Sequence, residues 1–150
     1  VSVISVSIDR SDMSGSPAPL VISDDGAVYR FTQDGLGYVV QSVRTTFMPD
    51  SIDVDGSEPL AFAREATSLA LEFYVIGTST ADLAAKVADM EDALYRLSYP
   101  VTRTVDGVAK TYAGAPCALI PKRGSLDSGV QAAYFDTFSV VIPFPNPNGA

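Results

Sequence analysis

The chain has no histidine, no tryptophan and a single cysteine, and its ten basic residues face eighteen acidic ones. Without histidine the commonest general base and metal ligand is missing, and every histidine-dependent triad is excluded. Cys117, between Pro116 and Ala118, has no second cysteine to pair with. An intrachain disulfide and a cysteine-based metal site are therefore excluded, and the residue reads as a small buried apolar side chain. The net charge of -8 repels a polyanion, which argues against ordinary nucleic-acid binding while suiting a wall past which DNA slides. No apolar run approaches the ~20 residues a membrane helix needs. Val1 to Ile8 (VSVISVSI) carries neither a basic leader nor a small-residue cleavage pattern, so it reads as a strand and not as a secretory signal.

What is present is enough for one domain with a real core, since a chain of about 150 residues buries roughly two thirds of its unfolded surface. Val1, Val3, Val6 and Ile8 alternate with serines, and Ile4 interrupts the alternation like a bulge. After a Ser/Gly/Pro-rich loop from Asp9 to Pro19, Leu20 to Ile22 and Ala27 to Phe31 flank Asp24-Asp25-Gly26, a hairpin signal. Gln33-Asp34-Gly35 repeats it before Gly37 to Arg44, so this half reads as an antiparallel meander. Thr46 to Arg64 is the least regular part, with Pro49, Asp50, Asp53, Asp55, Gly56 and Pro59 closely spaced, and is expected to be a long loop or poorly packed arm.

An apolar strand from Leu69 to Ile76 leads through Gly77-Thr78-Ser79-Thr80 into an amphipathic run from Ala81 to Leu97. Leu83, Val87, Met90, Leu94 and Leu97 make one apolar stripe, with Lys86, Asp89, Glu91 and Arg96 off it. Ser79 or Thr80 suits the amino-terminal cap, Asp82 the positive end of the helix dipole and Arg96 the negative end. Pro100 is expected to end the helical pattern. Val101 to Val105 and Val108 to Tyr112 flank Asp106-Gly107 as a hairpin, and Ala115 to Ile120 and Ala133 to Ile142 read as strands around a polar loop from Lys122 to Val130. The closing PFPNPNGA cannot extend a central strand and reads as a tail.

The predicted fold class is α+β, mainly β: an antiparallel β-sandwich or barrel-like sheet pair with one flanking helix over about 80–97 and an irregular arm over about 46–64. Residues 1–145 form a single domain and 146–150 an extended tail. No spacing marks an acid/base pair among Asp53, Asp55, Glu58 and Glu65. Asp53-Val54-Asp55-Gly56 matches positions three to six of a calcium loop, but Ser51, Pro59 and Phe62 stand where ligands are needed, so a solvated acidic turn is the better reading. Gly35-Leu36-Gly37 lacks the third glycine and the strand-helix context of a dinucleotide fingerprint, and Lys122-Arg123 is too small a basic cluster for nucleic acid. Catalytic, cofactor and metal residues are accordingly none, and an enzyme is not expected.

The segment LEFYVIGTSTADLAAKVADMEDALYRLSYP, followed by TVDGVAKTYAG and closing with FSVVIPFPNPNG, resembles the distal tail protein family of phages, over about Leu69 to Gly149. The resemblance implies a β-sandwich with one flanking helix, related to the tail-tube fold, in a noncatalytic virion protein without cofactors. Such subunits form rings, usually hexameric, that join the tail tube to the hub and receptor-binding apparatus and leave a channel for the tape measure protein and DNA. The implied partners are copies of the chain, the tail tube, the tail hub and the tape measure protein, with no membrane. The implied location is the virion tail, assembled in host cytoplasm. Many members carry a second, carbohydrate-binding-like domain after the ring domain; it is absent or removed from these 150 residues, so direct sugar binding is not expected. A tail-tube subunit is the alternative, and a free-standing glycan-binding module the alternative from another class. Val1 to Ile8 and Ala133 to Ile142 are expected edge strands ready to pair with a neighbour. Phe47, Asp53, Asp55, Glu58 and Phe62 are the expected intersubunit contacts, because a ring needs two complementary faces on each subunit.

Overall fold

In the computed structural model, residues 3–40, 43–47, 59–64, 66–122 and 134–146 are described. Eight strands form one mixed sheet in the order β8-β7-β1-β2-β3-β6-β10-β9, and two more form a separate hairpin, β4-β5. The strands are β1 (Ile4–Ile8), β2 (Leu20–Ser23), β3 (Tyr29–Val40), β4 (Val43–Phe47), β5 (Pro59–Arg64), β6 (Thr67–Gly77), β7 (Tyr99–Val105), β8 (Val108–Gly114), β9 (Ile120–Pro121) and β10 (Tyr134–Phe144). The helix α1 (Thr80–Leu94) lies between β6 and β7 in sequence and packs against β6 and β10. The mainly-β class with one helix is as the sequence indicates, in its barrel-like form.

The sheet curls until its far strands meet. Tyr112 of β8 stacks on Phe144 of β10 with ring centroids 4.6 Å apart, and the Ala115 amide donates to the Pro143 carbonyl at 3.0 Å. Period-two alternation explains the core: Leu69, Leu71, Phe73 and Val75 of β6 and Phe138, Val140, Ile142 and Phe144 of β10 all point into the curl. Leu83, Met90, Ala93 and Leu94 of α1 close it from one side. Pro143 sits inside β10, opposite Ser68, which corrects the expectation that the prolines end the strand before it. Its carbonyl points toward Ala115, so its backbone groups face away from β6 and the missing N–H removes no rung of that ladder.

Several other expectations are corrected. Ile4, Val6 and Ile8 form the inward set of β1 while Val3 is exposed, so Ile4 is no bulge. β1 lies between β7 and β2, and β10 lies between β6 and β9, so neither is an outermost strand. Asp24-Asp25-Gly26 does not fold β3 back on β2; the chain loops and resumes parallel, with Ser23 bridging Arg30. Gln33-Asp34-Gly35 is no turn either: β3 runs straight through it along β6, with the register slipping between Phe31 and Leu36. Asp34 adopts φ 60° there, and a Cβ on Gly35 would sit 2.1 Å from the Glu72 carbonyl, so the Asp-Gly pair makes a bulge with close backbone contact. Residues 115–119 are not strand, and only Ile120 and Pro121 pair with β10.

The helix begins as expected. The Ser79 hydroxyl accepts from the Asp82 amide at 3.1 Å, and the Asp82 carboxylate accepts from the Thr78 amide at 2.9 Å. It ends one turn early, at Leu94, because its last carbonyls are taken from outside: Arg96 Nε donates to Ala93 at 2.9 Å and the Cys117 amide to Leu94 at 3.2 Å. Leu97 is consequently 89% exposed and not part of the buried stripe, and Pro100 lies within β7 instead of terminating the helix. The Asp106-Gly107 hairpin is confirmed, with φ 47° and 81° at the two residues and Val105 opposite Val108.

Candidate interaction surfaces

The clefts of this molecule hold no assembled chemistry among the described residues. The cleft beside α1 and β2–β3, about 400 Å³, is lined by Arg10, Lys86, Asp89 and Tyr29 among others. Its one hydroxyl of interest is occupied: Tyr29 donates to the Lys86 carbonyl at 2.8 Å, and burial, then Asp89, pushes its pKa up to about 12. A second cleft of about 310 Å³ brings Glu91, Asp92 and Tyr95 near Cys117. Cys117 is half-buried; burial pushes its thiol up, so it stays protonated and unreactive at neutral pH. Its neighbour Tyr99 donates to the Ala115 carbonyl at 2.7 Å, lies 3.4 Å from the sulfur, and is itself held neutral well above the usual range, chiefly by burial. No group of three His, Cys, Asp or Glu residues among the described ones is placed to hold a metal ion. No described helix is long and apolar enough to cross a membrane.

These polar groups instead fasten the structure. Arg96 donates to Ala93 of α1, to the Asp9 carbonyl and to the Asp12 carboxylate, and lies 4.9 Å from the Tyr99 ring centroid. One side chain thus joins the helix end, the loop after β1 and the start of β7. Asp9 has its carboxyl lowered, mainly by accepting from the Ser11 amide, which pins the same loop.

The surfaces are more informative. The segment expected to be an irregular arm is in part a β-hairpin: β4 and β5 pair antiparallel from Val43↔Arg64 to Phe47↔Pro59, with one irregularity between Thr46 and Phe47. Phe47 and Phe62 fall on this ladder, Phe62 opposite Thr45. Asp53, Asp55 and Glu58 lie outside the described residues, as does the Ser51 to Glu58 part of the calcium-loop comparison. On the outer face of the main sheet, Phe135 meets Tyr74 edge-on at 5.5 Å and stands opposite Ile76. Val141, half exposed, stands opposite Ala70 farther along the same face, separated from Phe135 by Thr137 and by Ser139 opposite Glu72, whose carboxylate pairs with Lys122 at 3.2 Å. The period-two pattern of β10 assigns Phe135 and Val141 to the face opposite Phe138 and Val140.

This curled sheet with one covering helix is shared with solved structures of a phage hub protein and of a phage baseplate. The chain is similar to the SPP1 Dit protein, described as a paradigm of the hub adsorption apparatus in phages infecting Gram-positive bacteria, with a TM-score of 0.55 and 17% identity. That match covers 97% of this chain and 51% of the other. It is also similar to a chain of the phage P2 baseplate in its activated conformation with Ca, with a TM-score of 0.63 and 11% identity, over 93% of this chain and 44% of that one. The chain therefore spans about half the length of the proteins it matches. No family model and no curated protein matches its sequence.

Proposed function

We propose that this chain is a noncatalytic structural subunit of a phage tail, forming a ring of six copies at the distal end of the tail tube. The ring links the tube to the hub or baseplate and leaves a channel for the tape measure protein and DNA. The observation that carries the reading is the fold: more than nine tenths of the chain superposes on hub and baseplate proteins. Two features support it. The net charge of -8 opposes adhesion of a passing polyanion, and the surface offers a strand edge and a hairpin, the means by which sheet proteins join to copies of themselves. A cyclic assembly needs two unlike faces on each subunit.

Negative-stain electron microscopy and sedimentation of the purified protein test the reading. Short rings of uniform copy number are expected. Long tubes would instead assign the chain to the tail tube, and a protein that stays monomeric at every concentration and is missing from virions would overturn the structural role altogether.

A further inference from the structure

Past the stack of Tyr112 on Phe144, the inward face of β7 and β8 borders a groove of about 260 Å³, lined by Tyr38 and Val39 of β3, Arg103 and Val105 of β7, and Val108 and Lys110 of β8. Arg103 and Lys110 stand directly opposite in the β7–β8 register, so two like charges share one face, an arrangement that costs stability. Neither makes an ion pair among the described residues. Each lies over a tyrosine ring instead, Arg103 5.5 Å from the Tyr38 centroid and Lys110 5.1 Å from that of Tyr112. Arg103 Nε also donates to the Gly37 carbonyl at 3.2 Å, which holds the guanidinium at the groove. In a chain with eight more acidic than basic residues, this basic pair is complementary to an anion where the average surface is not.

The same face ends at a sheet edge. β8 is the last strand in the sheet order, and residues 108–111 are all exposed. Val105 and Val108 close a two-residue turn, so they exchange hydrogen bonds, and the alternation of the ladder turns the N–H and C=O groups of Ala109 and Thr111 away from β7. The Ala115 amide, in the same phase, donates to the Pro143 carbonyl of β10, which shows the direction in which this row of groups points. An extended segment laid along Ala109 to Thr111 would continue the ladder about 4.8 Å from β8 and set alternate side chains beside Val108 and Lys110.

Edge and charge together select one kind of ligand. A phosphate chain would use the cations and leave the edge unused, and a neutral strand would use the edge and bury the cations unpaired. A strand with an acidic residue beside Lys110 and an apolar residue two positions away, over Val105 and Val108, uses both. We propose that the β8 edge binds an acidic, extended peptide segment of a partner protein by strand addition, with a carboxylate of that segment set against Lys110 and Arg103. No copy number enters the inference, so its failure leaves the ring reading standing.

Fluorescein-labelled synthetic peptides titrated into the full chain and read by anisotropy test it. The peptide TVTETVT should bind at least about tenfold more tightly than TVTKTVT, which reverses the charge, and than TVPEPVT, which keeps the charge but removes the N–H groups that would pair with β8. Amide hydrogen exchange at Ala109 and Thr111 should slow with the first peptide alone. Lys110→Gln, alone and with Arg103→Gln, should lower the affinity for TVTETVT toward that for TVTKTVT, with the circular dichroism of a folded chain. No binding at ~1 mM peptide, equal binding of the lysine or proline peptide, or binding untouched by the substitutions would each overturn the proposal. So would an oligothymidylate that binds through Lys110 where TVTETVT does not, which would give the cations to phosphate. Self-assembly abolished by Lys110→Glu in a protein that binds no peptide would overturn it too, by making a second copy the occupant of the edge.

Discussion

Replacing Leu94 by alanine should be far more damaging than the same change at Leu97, although the two leucines are one helical step apart in a single sequence stripe. Leu94 is fully buried under the curl, and Leu97 is 89% exposed beyond the helix end. Truncating Leu94 removes three carbons, worth about 0.8 kcal/mol each in transfer, or about 2.4 kcal/mol. A residual void on the order of 50 Å³ adds about 1.2 kcal/mol at roughly 24 cal/mol per Å³. The total is about 3.6 kcal/mol, which for a chain of this size lowers Tm by about 7–14 °C. Leu97→Ala should stay within about 0.5 kcal/mol. Melts of both variants and the wild type belong at one protein concentration, because assembly itself raises Tm. Equal losses for the two would mean that the helix continues to Leu97 and that Arg96 and Cys117 do not end it.

Two further outcomes follow. Gly107→Val should cost about 2 kcal/mol in thermal or urea unfolding, because φ is 81° there and an L residue in that region costs about 1–2 kcal/mol before β-branching is counted. An added Cβ meets nothing within 4 Å, so the loss is one of backbone and Gly107→Asn should recover most of it; an equal loss for both would refute the turn geometry. Tyr29 titrates near 12 when folded against 10 in the reference state, so its contribution is intact below pH 10 and falls as pH rises toward 12, by about 1.4 kcal/mol per pH unit. Tyr29→Phe should shallow that alkaline slope while costing about 1 kcal/mol at neutral pH; Tyr99, raised in the same direction, keeps part of the slope. An unchanged slope in urea titrations from pH 9 to 11.5 would show that Tyr29 is not protected.

Local chemistry was legible and non-local pairing was not. Ser79 with Asp82 marks the helix start because the cap bonds span three residues, and Asp106-Gly107 marks its hairpin because the turn closes on itself. The same dipeptide at Asp34-Gly35 makes a bulge, since β6 offers β3 a partner on both sides of it, a fact held only in the fold. The helix end at Leu94 depends on a carbonyl contact with Cys117, well downstream in sequence. Strand order hid β1 in the interior, where an N-terminal strand is more naturally imagined at an edge. The candidate groove was half legible: once Asp106-Gly107 is taken as a two-residue turn, the register sets Arg103 against Lys110 by counting outward. Tyr38 and the openness of that end required the curl.

The incomplete curl also explains why the charged groove sits where it does. A closed barrel has no edges, but here, among the described residues, β8 meets β10 through Tyr112 on Phe144 and through the Ala115 amide, and the start of β8 lies on the outer edge of the sheet. An unpaired edge invites any strand, and lysine on such an edge is a common guard against it. Lys110, doubled by Arg103 across the ladder, repels basic strands and leaves a neutral one to bear the cost of burying two cations. An acidic strand alone relieves the repulsion between the pair.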